Sequence, residues 1–168
     1  SNEHLARMNR RRLDVEAWRD AMLHASDQLD KTLGGEPKDL NAKDNNRRTL
    51  YGAIHRREPN QFLRIHDFPD PTAHAPTRPQ TITPLQQLFT LNGPFIHQHA
   101  KSLAANLMKQ KEINVRIHGV YQKLFQRAPR ETELKIAKNF LNGKGNDASA
   151  WTQYAHALLA GNEFQFID

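Results

Sequence analysis

Cysteine is absent, which removes disulfides, thiolate nucleophiles, iron–sulfur clusters and C-x-x-C-H haem attachment from this chain. The compartment stays open, because an exported protein can do without disulfides. No apolar run approaches the ~18 residues of a membrane-spanning helix. The opening "SNEHLARMNRRR" shows neither an initiator Met nor a targeting segment and starts almost inside a helix pattern. It reads as the start of a fragment of a larger protein, with Ser1 and Asn2 as added residues.

Several reactions lack their motifs. The serines are Ser1, Ser26, Ser102 and Ser149, and none lies in a G-x-S-x-G elbow. Neither G-x-G-x-x-G nor G-x-x-x-x-G-K-[ST] occurs, so dinucleotide and P-loop nucleotide binding have no support. The nine histidines form no H-E-x-x-H and no H-x-x-x-H pair. His97 and His99 are two apart, about 200° around a helix, which does not suit joint ligation.

What is present is length and periodicity. With 168 residues and 38% hydrophobic content the chain can bury ~70% of its unfolded surface, so one domain over residues 1–168 is expected. The net charge is +6. Residues 1–31 balance, 43–66 carry six basic and two acidic residues, and 101–144 carry ten basic and three acidic. Lysines there fall between apolar positions, as on a solvated helix face, and aromatics do not interleave with them. Nucleic acid is therefore not the expected partner, and polyanion binding through 101–144 stands as a lesser alternative.

"LDVEAWRDAMLHASDQLDKTLGG" predicts a long helix with Asp14 as N-cap, the stripe Trp18, Met22, Ala25, Leu29 and Leu33, and Gly34–Gly35 as a left-handed stop. Arg10, Arg11 and Arg12 precede it, to pair with carboxylates or stay solvated. "EPKDLNAKDNN" reads as a loop, "RRTLYGAIHRR" as a short extended segment, and "EPNQFLRIHDF" as a brief helix with Pro59 in its first turn. Seven of the nine prolines lie between 59 and 94. Pro69, Pro71, Pro76 and Pro79 forbid a regular helix or central strand, so about 66–83 is expected to be an ordered connector held at both ends. Thr83 as N-cap and Pro84 at the first position open a helix with Leu85, Leu88, Phe89 and Leu91 inward. "NGP" at 92–94 interrupts it as a kink or a new start. Three further amphipathic patterns follow, at 113–129, 130–145 and 148–161, the last anchored by Trp151 and stopped at Gly161. Short joints between them favour antiparallel packing. The expected fold is mainly α, an antiparallel helical bundle with one short extended segment and a long proline-rich connector.

The strongest cluster for ligand or metal chemistry is His66, Asp67, Asp70 and His74 in that connector, weighed against Asp67 and Asp70 simply forming side-chain-to-backbone turns. Asp67 with Asp70, or Glu58 with either, would also suit a carboxylate pair for glycoside hydrolysis. Trp18 and Trp151 fall in helical stripes and read as core anchors rather than sugar platforms.

Taken in order, "NRRRLDVEAWRDAML", "NRRTLYGAIHRREP", "FLRIHDFPDP", "TITPLQQLFTLNGPFI", "RIHGVYQKLFQRAPRETEL" and "WTQYAHALLAGNEFQFID" resemble the planctomycete-specific domain of unknown function 1553, from about Asn9 to Asp168. The resemblance implies a C-terminal part of a large exported planctomycete protein, often accompanied elsewhere by a c-type cytochrome domain. It carries no activity and no catalytic residues. Any haem would belong to another domain, since this chain has no cysteine, and no cofactor is expected in this chain. With no catalytic signature in the chain, the expected function is a non-catalytic interaction or scaffold domain whose partners are other domains of the parent polypeptide. The alternative is a carbohydrate-active or hydrolytic domain with a site in the 66–78 loop. In the family pattern an acidic-proline turn is followed by an Arg, matched by "DFPDP" and Arg78. Arg78 is the only Lys or Arg between 67 and 100, and is expected to pair with Asp67 or Asp70 and pin the connector, the alternative being that it joins His66, Asp67, Asp70 and His74 in a site for an anionic ligand.

Overall fold

The computed structural model describes residues 4, 6, 8–42 and 44–167. Ser1, Asn2 and Asp168 lie outside the described residues. The elements in chain order are β1 (Arg11–Arg12), α1 (Val15–Ala25), a 3-10 turn (Thr49–Tyr51), α2 (Gln61–Ile65), α3 (Pro84–Asn92), α4 (Pro94–Leu107), α5 (Ile113–Phe125), α6 (Glu131–Phe140), α7 (Ala148–Leu159), α8 (Asn162–Gln165) and β2 (Phe166–Ile167). The fold is mainly α.

The core is built where the periodic patterns meet. Ile96, Ala100, Leu103 and Ala104 of α4 pack with Trp151, Ala155 and Leu159 of α7, and Ile117, Val120, Ala137 and Leu141 close the cluster from α5 and the end of α6. The rings of His97, near the start of α4, and His156, near the end of α7, lie 6.0 Å apart. At the other end Arg116 joins Met108 O to the ring of Trp151. The two helices therefore run antiparallel. Trp18 of α1 joins this core, while Val15, Leu40 and Leu63 form a smaller satellite with Phe62 and Phe68.

α3 starts as its sequence dictates, with Thr83 accepting from Gln86 N–H and Gln86 Oε1 accepting from Thr83 N–H. Gly93 ends α3 and caps α4, and a Cβ there would stand 2.5 Å from Phe89 O, so the new start needs glycine.

Several expectations are corrected. The first helix stops at Ala25 rather than at Gly34–Gly35. Ser26 Oγ lies 2.9 Å from Met22 O, Gln28 and Leu29 N–H both bond to Leu23 O, and Asp27 turns left-handed at φ 58°, so the last carbonyls are satisfied early. Gly34 and Gly35 are left-handed, but in the following loop, and Leu33 is exposed. The expected extended segment is a 3-10 turn between two isolated parallel bridges, Asp30 with Arg47 and Lys38 with Gly52. Pro59 precedes α2, whose cap is Asn60. Gly161 follows the end of α7 as expected, and it also opens a further short helix, α8, that the sequence did not signal. The two-stranded pairing of Arg11 with Ile167 and Arg12 with Phe166 had no sequence signal and ties the two ends of the described chain together.

Candidate functional site

The connector's five singled-out residues do not converge. Asp67, at φ 62°, is the anchor: its carboxylate accepts from Arg12, from Thr81 N–H at 2.9 Å, from the Thr81 hydroxyl at 2.7 Å and from Gln86 Nε2 at 3.2 Å. Burial would raise its pKa, but the Thr81 hydroxyl and amide, then Arg12, outweigh that and hold it below the usual carboxylate range. Arg12 also donates to Thr81 O and Gln86 Oε1, so both ends of the connector are fastened to β1 and α3. Asp70 forms a local turn, accepting from Thr72 N–H and hydroxyl at 2.8 and 2.7 Å. His74 is exposed.

Arg78 does not pair with Asp67 or Asp70. Both its terminal nitrogens donate to Glu16 at 2.8 Å, Asp14 lies 3.8 Å away, and the guanidinium sits 5.6 Å from the Phe68 ring centre. Glu16 stands on the first turn of α1, so Arg78 still pins the connector, to a different helix. Among the described residues no group of three or more His, Asp or Glu could hold a metal ion.

His66 goes elsewhere. It leaves α2 into an aromatic cluster, 4.9 Å from Trp18, 5.0 Å from Phe62 and 5.0 Å from Phe89 between ring centres. Its Nδ1 lies 2.8 Å from Phe62 O. A carbonyl only accepts, so Nδ1 carries the proton and Nε2 keeps its lone pair. Burial pushes the His66 pKa down and keeps the ring neutral. Its Nε2 and the indole Nε1 of Trp18 are both buried, with no hydrogen-bond partner among the described residues. Trp18 and His66 also line a cavity of about 250 Å³ whose walls include Arg12, Gln86, Asn162 and Phe166, drawn from both chain ends and α3.

A second cavity, about 450 Å³, is lined by Phe62, Phe89, Leu40, Phe95, Arg19 and His99. Arg19 is only 2% exposed and donates to Asn45 O at 2.6 Å, Arg47 O at 2.9 Å and Thr49 Oγ1 at 3.2 Å. Thr49 in turn donates to Asp20 at 2.7 Å, and the Asp20 charge offsets part of the cost of burying Arg19. Burial, then Arg19, pushes the pKa of His99 down to about 4.

The outer face of α3 reverses the sequence reading. Gln86 and Thr90 are buried and Phe89 is half-buried, whereas Leu85, Leu88 and Leu91 are 56%, 55% and 58% exposed, with Ile82 at 72% just ahead. The inner face is polar because Gln86 serves the Asp67 anchor and also donates to Ile65 O at 2.9 Å. The 22 residues from Pro79 to Ala100 carry no Asp, Glu, Lys or Arg, so this aliphatic row is not interrupted by charge. In 101–144, by contrast, Arg116 is buried, Lys123 pairs with Asp27, and Arg127 pairs with Glu133 and Glu163. Three of the ten basic residues there are thus committed internally. Among the described residues no helix is long and apolar enough to cross a membrane.

No curated protein and no solved structure matches the chain. The model of PSD1, a protein of unknown function (DUF1553), matches residues 1–141, and the chain belongs to that family.

Proposed function

We propose that the chain is a non-catalytic interaction domain that docks, through the aliphatic outer face of α3, against another domain of its parent polypeptide. The observation that carries this is the row Ile82, Leu85, Leu88 and Leu91, exposed within an uncharged stretch while the opposite face of the same helix is committed to the fold. Covering such side chains is worth ~1.5–3 kcal/mol each when complete, and contiguous apolar faces of this kind mark interaction surfaces. The resemblance to exported planctomycete proteins supports an exported parent, in which a haem would occupy a separate domain.

Calorimetry of the chain against the remainder of its parent polypeptide tests the reading. The double variant Leu85→Asp/Leu88→Asp should keep the wild-type melting temperature, because both positions are exposed, and should lose about two orders of magnitude in affinity. No binding by the wild-type chain, or undiminished binding by the variant, would overturn it. Sedimentation of the chain alone reads the competing occupant, a second copy; a dimer abolished by the same variant would replace the parent domain as partner.

A further inference from the structure

We infer that the cavity lined by Leu40, α2 and the start of α4 binds a small monocarboxylate carried on an apolar, ring-sized body, with Arg19 of α1 as its cation. The volume, about 450 Å³, falls within the ~300–1,000 Å³ of small-molecule sites.

The lining suits such a body. Phe62 and Ile65 of α2, Phe89 of α3 and Phe95 of α4 are all half-buried, and Leu40 is buried. The Phe62 ring centre lies 5.4 Å from that of Phe89 and 5.9 Å from that of Phe95, so three rings form one continuous wall. The exposed lining residues Asn41, Gln61 and Gln98 are neutral amides. Arg19 is the only Asp, Glu, Lys or Arg in the lining, and its guanidinium stands 5.6 Å from the Phe95 ring centre. None of Ile82, Leu85, Leu88 and Leu91 lines this cavity, so the inference stands apart from docking at the outer face of α3.

Two properties leave Arg19 open to a ligand although it is 2% exposed. Its bonds to Asn45 O, Arg47 O and Thr49 Oγ1 come from the two terminal nitrogens and take three of the five N–H donors of a guanidinium. Its Nε has no hydrogen-bond partner among the described residues, and it is not sealed as the unpartnered nitrogens of Trp18, His66 and Arg47 are. The opening it keeps is the cavity that Arg19 lines. The second property is charge. Arg19 makes no ion pair among the described residues, and Asp20, which is bonded to Thr49 and lies 3.7 Å from Arg48, offsets the buried charge only in part. A buried cation with donors to spare and no acid in the lining selects an anion. Neutral His99 adds no second positive charge, so one negative charge on an apolar body fits better than a phosphate dianion.

Ligand-detected proton NMR titrations of the full chain at neutral pH compare phenylacetate with its neutral amide, phenylacetamide, and with acetate, which has the charge without the ring. Phenylacetate should bind with a Kd on the order of a millimolar, and the other two about tenfold or more weakly. The double variant Gln61→Glu/Gln98→Glu alters two exposed side chains that make no hydrogen bond or ion pair among the described residues, and should keep the wild-type melting temperature. Its added carboxylates should weaken phenylacetate about tenfold and leave phenylacetamide unchanged. Arg19→Met should erase the preference for the acid over the amide, and the rim variant carries the test alone if Arg19→Met does not fold. The inference is overturned if phenylacetate does not bind in the tens of millimolar, if the amide or acetate binds as tightly, if folded Arg19→Met keeps the preference, or if the rim variant binds phenylacetate as the wild type does.

Discussion

Between Pro94 and Leu159 the chain is held by apolar faces, and between Asp27 and Asn60 by arginines that grip backbone carbonyls. In the first region Ile96, Ala100, Leu103, Ile117, Trp151 and Leu159 are each essentially inaccessible. In the second, Arg19 binds the carbonyls of Asn45 and Arg47, and Arg47 binds those of Thr32, Gly34 and Glu36. Hydrophobic burial needs a repeating stripe and so builds helices. A guanidinium presents five donors in a fixed plane and can organise irregular backbone that has no stripe. One boundary case joins the two modes: Arg116 binds the carbonyls of Gln110 and Gly145 while stacking 5.5 Å from Trp151.

The largest test of this contrast is Trp151→Ala. It empties a fully buried site and strips Arg116 of its stacking surface, so it should cost ~3–5 kcal/mol in chemical denaturation and lower protection of amides throughout the molecule. Next is Arg19→Met, which keeps the apolar stem but leaves two carbonyls without their donors, at ~2–4 kcal/mol. Its hydrogen exchange should accelerate across residues 30–53 while α4 and α7 stay protected. Equal acceleration in α4 and α7 would mean that loops and bundle unfold as one unit, and the contrast would fail.

Acid sharpens the same boundary. His99 stands on α4 but faces Arg19 and Ser26 of the neighbouring segment, and its pKa is about 4 when folded against an ordinary value of 6.5. The unfolded chain takes up the proton first, so this contribution is complete above about 6.5 and is lost as the pH falls toward 4. The loss should reach about 3 kcal/mol at the lower end. His99→Gln should be less stable than the wild type at neutral pH and should flatten the slope between pH 7 and 4.5. An unchanged slope would mean that other groups govern the acid limit.

The two regions also differed in how much could be read in advance. Helical stripes at α4, α5 and α7 were legible because three- and four-residue spacing is a direct record of burial, and the Thr83–Pro84 start because caps are local chemistry. The arginine clamps were not legible, since nothing in the spacing of Arg19 and Arg47 encodes which carbonyls the loop will present. α3 misled for an instructive reason. Its leucines have the period of a core face, but the anchor at Asp67 claims Gln86, turns the polar face inward and leaves the leucines outside. Of the connector residues, His66 has the spacing of a metal-cluster member but meets Trp18 at a cavity wall. A ring-to-ring contact across 48 residues leaves no local signature.

The smallest effect concerns the connector itself, which belongs to neither mode. Arg78 makes a two-pronged pair with Glu16, but its side chain is 37% exposed and that of Glu16 is 26% exposed, so solvent screens much of the attraction. Such pairs are worth ~0.2–1 kcal/mol. Arg78→Ala should therefore lower the melting temperature by only a degree or a few, and the effect should shrink in high salt, where exposed pairs are screened. Its clearer signature is local: faster proteolysis between Pro69 and Gln80, with the Asp67 anchor and both helical ends of the connector intact. A melting temperature and a cleavage rate both equal to wild type would show that Asp67 alone holds the connector.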